Sequence, residues 1–188
     1  MAFTRLTIEG YGQVELNNAA FRRDGRIEAQ CAPDTTDFTG TTYVENGMLL
    51  EVDAGARKVA FYDASNTALG HQVALVYSAE HLYDAAKQGL KDFKLNGKND
   101  FLPRLGYLAI GDKFTTNCVG YDSGEFASET ALFSAMTNTT LYGAVSSKGA
   151  IAISSTAPTA YDGVPILKFV KKTTMPDGSV GIQFTVVH

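Results

Sequence analysis

The stretch FLPRLGYLAIGDKFTTNCVGYD, residues 101–122, sets an arginine, two further cation or thiol carriers (Lys113 and Cys118) and two aspartates among aromatics, threonines and glycines. A nucleophile with an adjacent base would turn such a cluster into a hydrolytic site. Cys118 could serve as the nucleophile only beside a histidine, and the histidines are His71, His81 and His188. His71 and His81 stand ten apart, wider than the HExxH spacing that puts two imidazoles on one helix face, and no cysteine pair lies near them. No GxSxG pentapeptide occurs, so a serine on a strand-to-helix elbow is not encoded. Ser123, in YDSGEF, has acids nearby but no histidine in its local sequence. EGYGQVE begins like a dinucleotide-binding glycine loop but lacks the third glycine and the following helix, and reads as a bulged strand. Asp112, Asp122 and Glu125 fall in a turn and just ahead of a helix, where acids serve local structure. Cys31 and Cys118 form no CxxC pair and read as buried thiols, with a disulfide between them left open. No catalytic, cofactor-binding or metal-ligating residue is assigned, and the chain is not read as an enzyme.

The elements that would position any site are mostly strands. TRLTIEGYGQVEL gives a strand at Leu6 and Ile8, a glycine break, and a second strand at Val14 and Leu16. Asp24-Gly25 predicts a tight hairpin turn joining strands around 18–22 and 26–31. MLLEVDAGARKVAFYD alternates on either side of Asp53-Ala54-Gly55-Ala56 and predicts a hairpin. HQVALVYS is almost continuously apolar and predicts a central strand covered on both faces. Ser78 and Glu80 open a short helix, and LNGKND, residues 95–100, reads as an exposed loop. In the opening stretch, Arg104 to Ala109 and Lys113 to Val119 flank Gly111-Asp112 and predict another hairpin, with Lys113, Thr115 and Asn117 on its polar outer face. Ser128 caps a helix whose apolar face is Leu132, Phe133 and Met136. Two further hairpins turn at Ser147-Lys148-Gly149 and Pro176-Asp177-Gly178. Ten to twelve strands at this spacing predict a mainly β chain of antiparallel barrel or sandwich subdomains with one or two short helices. The expected division is 1–97, an N-terminal β subdomain, and 98–188, a barrel-like subdomain with one helix.

Composition narrows the partners. The 188 residues carry net charge −4, with 45% hydrophobic and 19% charged residues. Such a length buries a core without metal or disulfide support. No block is basic enough to follow a phosphate backbone, which argues against nucleic acid. No apolar run approaches the roughly 18 residues of a membrane helix, and no secretory signal is visible in MAFTRLTIEGYG.

NGMLLEVD, VALVYSAEHLYD, LKDFKL, FLPRLGYLAIGDKFTTNCVGYD and MPDGSVGIQFTVV, in this order, resemble small virion proteins of tailed bacteriophages of Gram-positive hosts, of the head decoration (auxiliary capsid) type. The resemblance spans most of the chain and rests on strand and turn patterns. It implies a structural protein of the capsid surface, made in the host cytoplasm, binding the major capsid protein and associating with itself as a trimer or another symmetric contact. It implies no site residues and no cofactor. Two other readings stand beside it: a tail or head-fibre component, and a β-rich receptor- or carbohydrate-binding module whose pocket Tyr43, Phe61, Tyr62, Tyr77 and Tyr83 would supply. For partner contact, the β-prone first strand (Phe3, Arg5, Leu6) and the basic tip at Arg22, Arg23 and Arg26 are the candidates, facing an acidic shell or a sister subunit.

Overall fold

The computed structural model describes residues 2–39, 42–63, 65, 72–78, 94–95 and 102–188. The expected helix after Ser78, the loop at 95–100 apart from Leu95, and His71, His81 and Tyr83 lie outside them. Among the described residues the chain is mainly β, with sixteen strands and two helices. An eight-stranded sheet curls into a half-barrel, and a six-stranded sheet packs against it.

The eight-stranded sheet runs in the order β1 (Phe3–Arg5), β12 (Val119–Asp122), β14 (Ile151–Ser154), β13 (Tyr142–Ala144), β15 (Leu167–Thr174), β16 (Val180–Val186), β11 (Lys113–Thr116), β2 (Val14–Asn18). Its centre holds the two predicted hairpins, β13–β14 and β15–β16. Each reverses through a glycine at positive φ, Gly149 and Gly178. The six-stranded sheet follows the order β3 (Ile27–Glu28), β10 (Leu105–Gly106), β8 (Gln72–Val76), β6 (Leu49–Asp53), β7 (Lys58–Ala60), β4 (Ala32–Pro33). A two-stranded ladder joins β5 (Val44–Glu45) to β9 (Lys94–Leu95). Strands from either side of residue 97 meet in both larger sheets: β1 and β2 edge the first, and β10 enters the second.

The apolar strand at 72–76 occupies the interior place its sequence predicts. Val73, Leu75 and Tyr77 face one hydrophobic cluster with Phe114, Phe184, Ile151 and Leu167 of the half-barrel. Ala74 and Val76 face a second, with Leu50, Val52, Val59 and Leu105. Alternation along one strand therefore feeds two cores. The 49–60 hairpin also forms as expected, Val52 opposite Val59. So does the second helix, α2 (Glu129–Asn138), where the Ser128 side chain accepts from the Ala131 N–H and Leu132 is fully buried.

Four expectations are corrected. Asp24-Gly25 does not turn a hairpin. Residues Ala20–Asp24 form helix α1, and Gly25, at φ 70°, ends it in the left-handed conformation. The same dipeptide serves a hairpin turn and a helix C-terminus because both need a positive φ. A five-residue helix has no stability of its own. This one is pinned by Phe21, wholly buried with its ring 4.9 Å from that of Tyr77, and by Asp112, whose Oδ1 accepts from the Ala20 N–H. The stretch 101–122 is not a hairpin either. β10 pairs with β3 and β8, whereas β11 pairs with β16 and β2, so the turn at Ile110-Gly111 passes the chain between sheets. Asp112 holds that passage, its Oδ2 accepting from the Ala109 N–H. Finally, Thr115 and Asn117 are not solvent-facing, at 2% and 0% exposure. The segment before β2 covers Asn117: its amide accepts from the Gln13 N–H and donates to the Tyr11 carbonyl and Ser179 hydroxyl. The glycine break in EGYGQVE is likewise a turn at Glu9-Gly10 rather than a bulge, and β1 and β2 lie at opposite edges of the half-barrel.

Candidate functional site

Arg5 sits on β1 opposite Gly120, with its side chain only 9% exposed. Its guanidinium forks onto Glu45, Nη1 to Oε1 at 2.6 Å and Nη2 to Oε2 at 3.2 Å. The same Oε2 accepts from the Gly12 N–H at 2.7 Å. One buried carboxylate therefore ties the first strand, the approach to β2 and the β5 ladder together. A bidentate, desolvated fork of this kind is rigid because both carboxylate oxygens and both terminal guanidinium nitrogens are engaged at once.

This node forms one end of a cleft of about 1140 Å³. Tyr43, Phe61 and Tyr62 line it, so three of the five aromatics proposed for a pocket come together. Tyr77 does not join them, being packed in the core against Phe21. The rings are held by acids: Asp37 Oδ2 accepts from the Phe61 N–H at 2.8 Å. Asp34 takes the Thr36 N–H and hydroxyl and the Lys58 ammonium. The Thr36 N–H, then Lys58, bring its carboxyl down to about 2. Asp63 is held below the ordinary carboxylate range by the Ser65 hydroxyl and N–H. Among the described residues, seven carboxylates and three cations line the cleft. Two of the cations are already matched, Arg5 to Glu45 and Lys58 to Asp34.

A second cavity, a groove of about 750 Å³, runs beside the other end of the six-stranded sheet. Its walls are largely apolar: Ile27, Tyr107, Leu108, Ile110, Val164 and Pro165. Ile110 is 75% exposed and Ile27 39%. Tyr161 and Val187, chain neighbours of the lining residues Asp162 and His188, are exposed as well.

The six partner-contact candidates do not form one surface. Phe3 packs on the second core cluster and Leu6 on the first. Arg5 is consumed by Glu45 in the cleft, whereas Arg26 lines the apolar groove. Arg22 and Arg23 are exposed in the last turn of α1, Arg23 paired with the neighbouring Asp24. Sequence reasoning missed Glu45 altogether, since a glutamate before Asn46-Gly47 looks like any loop acid.

Cys31 and Cys118 are free thiols, both buried. Burial, reinforced by Glu28, pushes Cys31 up to about 11. Burial pushes Cys118 to about 12 against the opposing charge of Arg5. Neither thiol is therefore expected to react with a disulfide reagent at pH 8 until the chain unfolds, when both should titrate. A folded pKa raised above 9.0 means the neutral thiol is favoured by folding. Its contribution is complete below pH 9 and lost as pH rises through 12, so urea midpoints should fall over that window. Rapid labelling of the folded chain at pH 8 would contradict this account. Among the described residues no group of three or more His, Cys, Asp or Glu is placed to hold a metal ion, and none of the described helices is long and apolar enough to cross a membrane.

No family model, no curated protein and no solved structure matches the chain.

Proposed function

We propose that this chain is a structural virion protein, a decoration protein that docks on the outside of an assembled phage capsid and stabilises the head. The observation that carries the reading is the apolar groove, where Ile27 and Ile110 leave large side chains in solvent along one concavity. Clustered exposed apolar groups of this kind mark a contact surface. The resemblance of the strand and turn segments to decoration proteins supplies the partner, the major capsid protein. A protein that binds the assembled shell and not its separated subunits shifts the balance toward the shell. Repetition over a symmetric lattice multiplies a modest contact.

The test is loading onto purified capsids that lack the protein. The parent chain is expected to bind saturably. Ile110→Glu combined with Ile27→Glu should reduce loading by on the order of tenfold or more, because charge is placed in the apolar contact. Circular dichroism of the variant should match the parent, since both side chains are exposed. Equal loading by parent and variant would move the contact away from the groove, and no loading by the parent would sink the decoration reading.

A second reading, a receptor- or carbohydrate-binding module, is favoured by one observation: Tyr43, Phe61 and Tyr62 share the acidic cleft. Retention of the chain on host cell-wall polysaccharide, lost in Tyr62→Ala, would support it over the first.

A further inference from the structure

The registers of the eight-stranded sheet place residues far apart in sequence in a single row. Ser154 lies opposite Tyr142, Tyr142 opposite Lys168, Lys168 opposite Thr185, Thr185 opposite Lys113, and Lys113 opposite Asn18. Residues directly opposite across a ladder share one face. The row therefore crosses six strands on the outer side of the half-barrel. The next row on the same face sets Lys171 opposite Gln183, Gln183 opposite Thr115, and Thr115 opposite Glu15. The inner residues Phe114, Phe184 and Ile182 are fully buried, whereas Lys113, Lys168 and Lys171 on the outer side reach solvent; Thr115, on the same side, is covered by Asn17 and Gln183.

This face carries Lys113, Lys168 and Lys171, with Glu15 at one end and, at the other, Glu125, which accepts from the Ser154 hydroxyl. All three lysines are exposed. Among the described residues the ion pairs are Arg5–Glu45, Arg23–Asp24 and Lys58–Asp34, and none involves these lysines. Lys113 and Lys168 are separated by a single strand, about 10 Å at the backbone. The outer side of a curled sheet is convex.

The cleft beyond the Arg5–Glu45 node has the opposite character. It is concave, and among the described residues its lining carries seven carboxylates and three cations, a net charge of −4. Its rings, Tyr43, Phe61 and Tyr62, suit an ammonium group approaching an aromatic face. A sugar site would balance donors with acceptors; here acceptors dominate. None of the three ladder lysines lines the cleft.

We infer that the chain associates with itself head to tail, the lysine-bearing outer face of β15, β16 and β11 in one copy seating against the acidic cleft of the next. The contact is heterologous: it joins two different surfaces and propagates into a ring or a row instead of stopping at a two-fold dimer. The inference rests on the reading of the chain as a repeating contact protein, and it supplies the self-contact that reading needs. Charge of opposite sign on two separate faces also fixes orientation, because a face-to-face encounter brings like charges together.

The experiment is sedimentation of three proteins at about 50 mM and about 500 mM salt. The parent should associate at low salt and weaken by on the order of tenfold at high salt, as contacts between exposed charges do. One variant carries Lys113→Glu, Lys168→Glu and Lys171→Glu and keeps only the cleft. The other carries Glu9→Lys and Asp63→Lys, two exposed acids of the cleft, and keeps only the ladder. Each alone should be monomeric, and an equimolar mixture should give a one-to-one dimer and nothing larger. A parent that stays monomeric at about 100 µM and low salt, association that survives either set of substitutions, or a mixture that stays monomeric would each overturn the inference. The salt series on the parent decides the question even if a variant fails to fold. Capsid loading is measured in parallel. Variants that load normally but cannot self-associate bear out this contact and show it to be separate from docking. A self-associating parent that ignores capsids retires the decoration reading and leaves this contact standing.

Discussion

Glu45→Ala is expected to lower the unfolding free energy by about 3–5 kcal/mol, the scale for removing one partner of a buried ion pair. The size follows from what remains. Arg5 would keep its charge, since a guanidinium does not deprotonate, in a place where its side chain is 9% exposed. Its Nε already lacks a partner, so the cation would lose both forked bonds and keep only the weak contact of Nη2 with the Cys118 sulfur at 3.5 Å. The Gly12 N–H would also lose its acceptor. Replacing both members, Arg5→Met with Glu45→Leu, should recover more than half of the loss, because no uncompensated charge is then buried. The recovery should stop short of complete, as the Gly12 N–H stays unpaired. Urea unfolding of the two variants against the parent measures both effects. A loss under about 1 kcal/mol in Glu45→Ala would mean that solvent reaches Arg5, contrary to its burial.

Among the described glycines that lie at positive φ, Gly47→Ala is expected to be the most damaging change. Gly47 lies at φ 86°, where an L side chain is strained. A Cβ there would also overlap Thr116 Oγ1 and press on the Cβ atoms of Thr116 and Cys118. Thr116 cannot swing aside cheaply. Its hydroxyl donates to the Gln13 carbonyl and accepts from the Cys118 N–H, and its side chain is fully buried. The Gly47 N–H is itself bonded to the Val76 carbonyl, which blocks a local shift of backbone. Strain and overlap together should cost about 3 kcal/mol or more. Thermal unfolding is the measurement. Gly25→Ala serves as the control, because it shares the positive φ but has no atom within reach of the new methyl. It should lose only about 1 kcal/mol. Equal losses in the two variants would show that overlap at Thr116 contributes nothing.

What could be read from sequence was whatever depends on residues close together. The 49–60 hairpin and the β15–β16 hairpin each have alternation on both arms and turn residues between them, so they were legible. Helix α2 was legible from Ser128 and Glu129. The passage from β10 to β11 was not, because Gly111-Asp112 turns the chain equally well into a neighbouring strand or into another sheet. Only Asp112, bonding Ala109 and Ala20, decides which, and Ala20 is 92 residues away. Thr115 and Asn117 alternate as outer-face residues do. Their burial is imposed by Asn17, Gln13 and Tyr11, which no local pattern announces. For the cleft, the aromatics Tyr43, Phe61 and Tyr62 were picked out, but the acids that fix them were not. Carboxylates are scattered along the whole chain, and only the tertiary arrangement selects Asp37 and Glu45 from the rest. The lysine ladder needed strand order and register, neither of which is set by any one segment.

The placement of β1 and β2 at the two rims of the half-barrel has a consequence for synthesis. Phe3 is matched to Asp122 and Val14 to Thr116, so neither early strand has a partner until more than half the chain has left the ribosome. Through that interval the nascent chain carries Leu6, Val14 and Leu16 with nothing to pack on and two unpaired backbones ready to engage a neighbour. Pairings at such separation are slow, because the intervening loop must be closed before any contact rewards it. A soluble yield that falls as expression rate climbs, and recovers with added chaperone, is the expected cellular consequence of that topology.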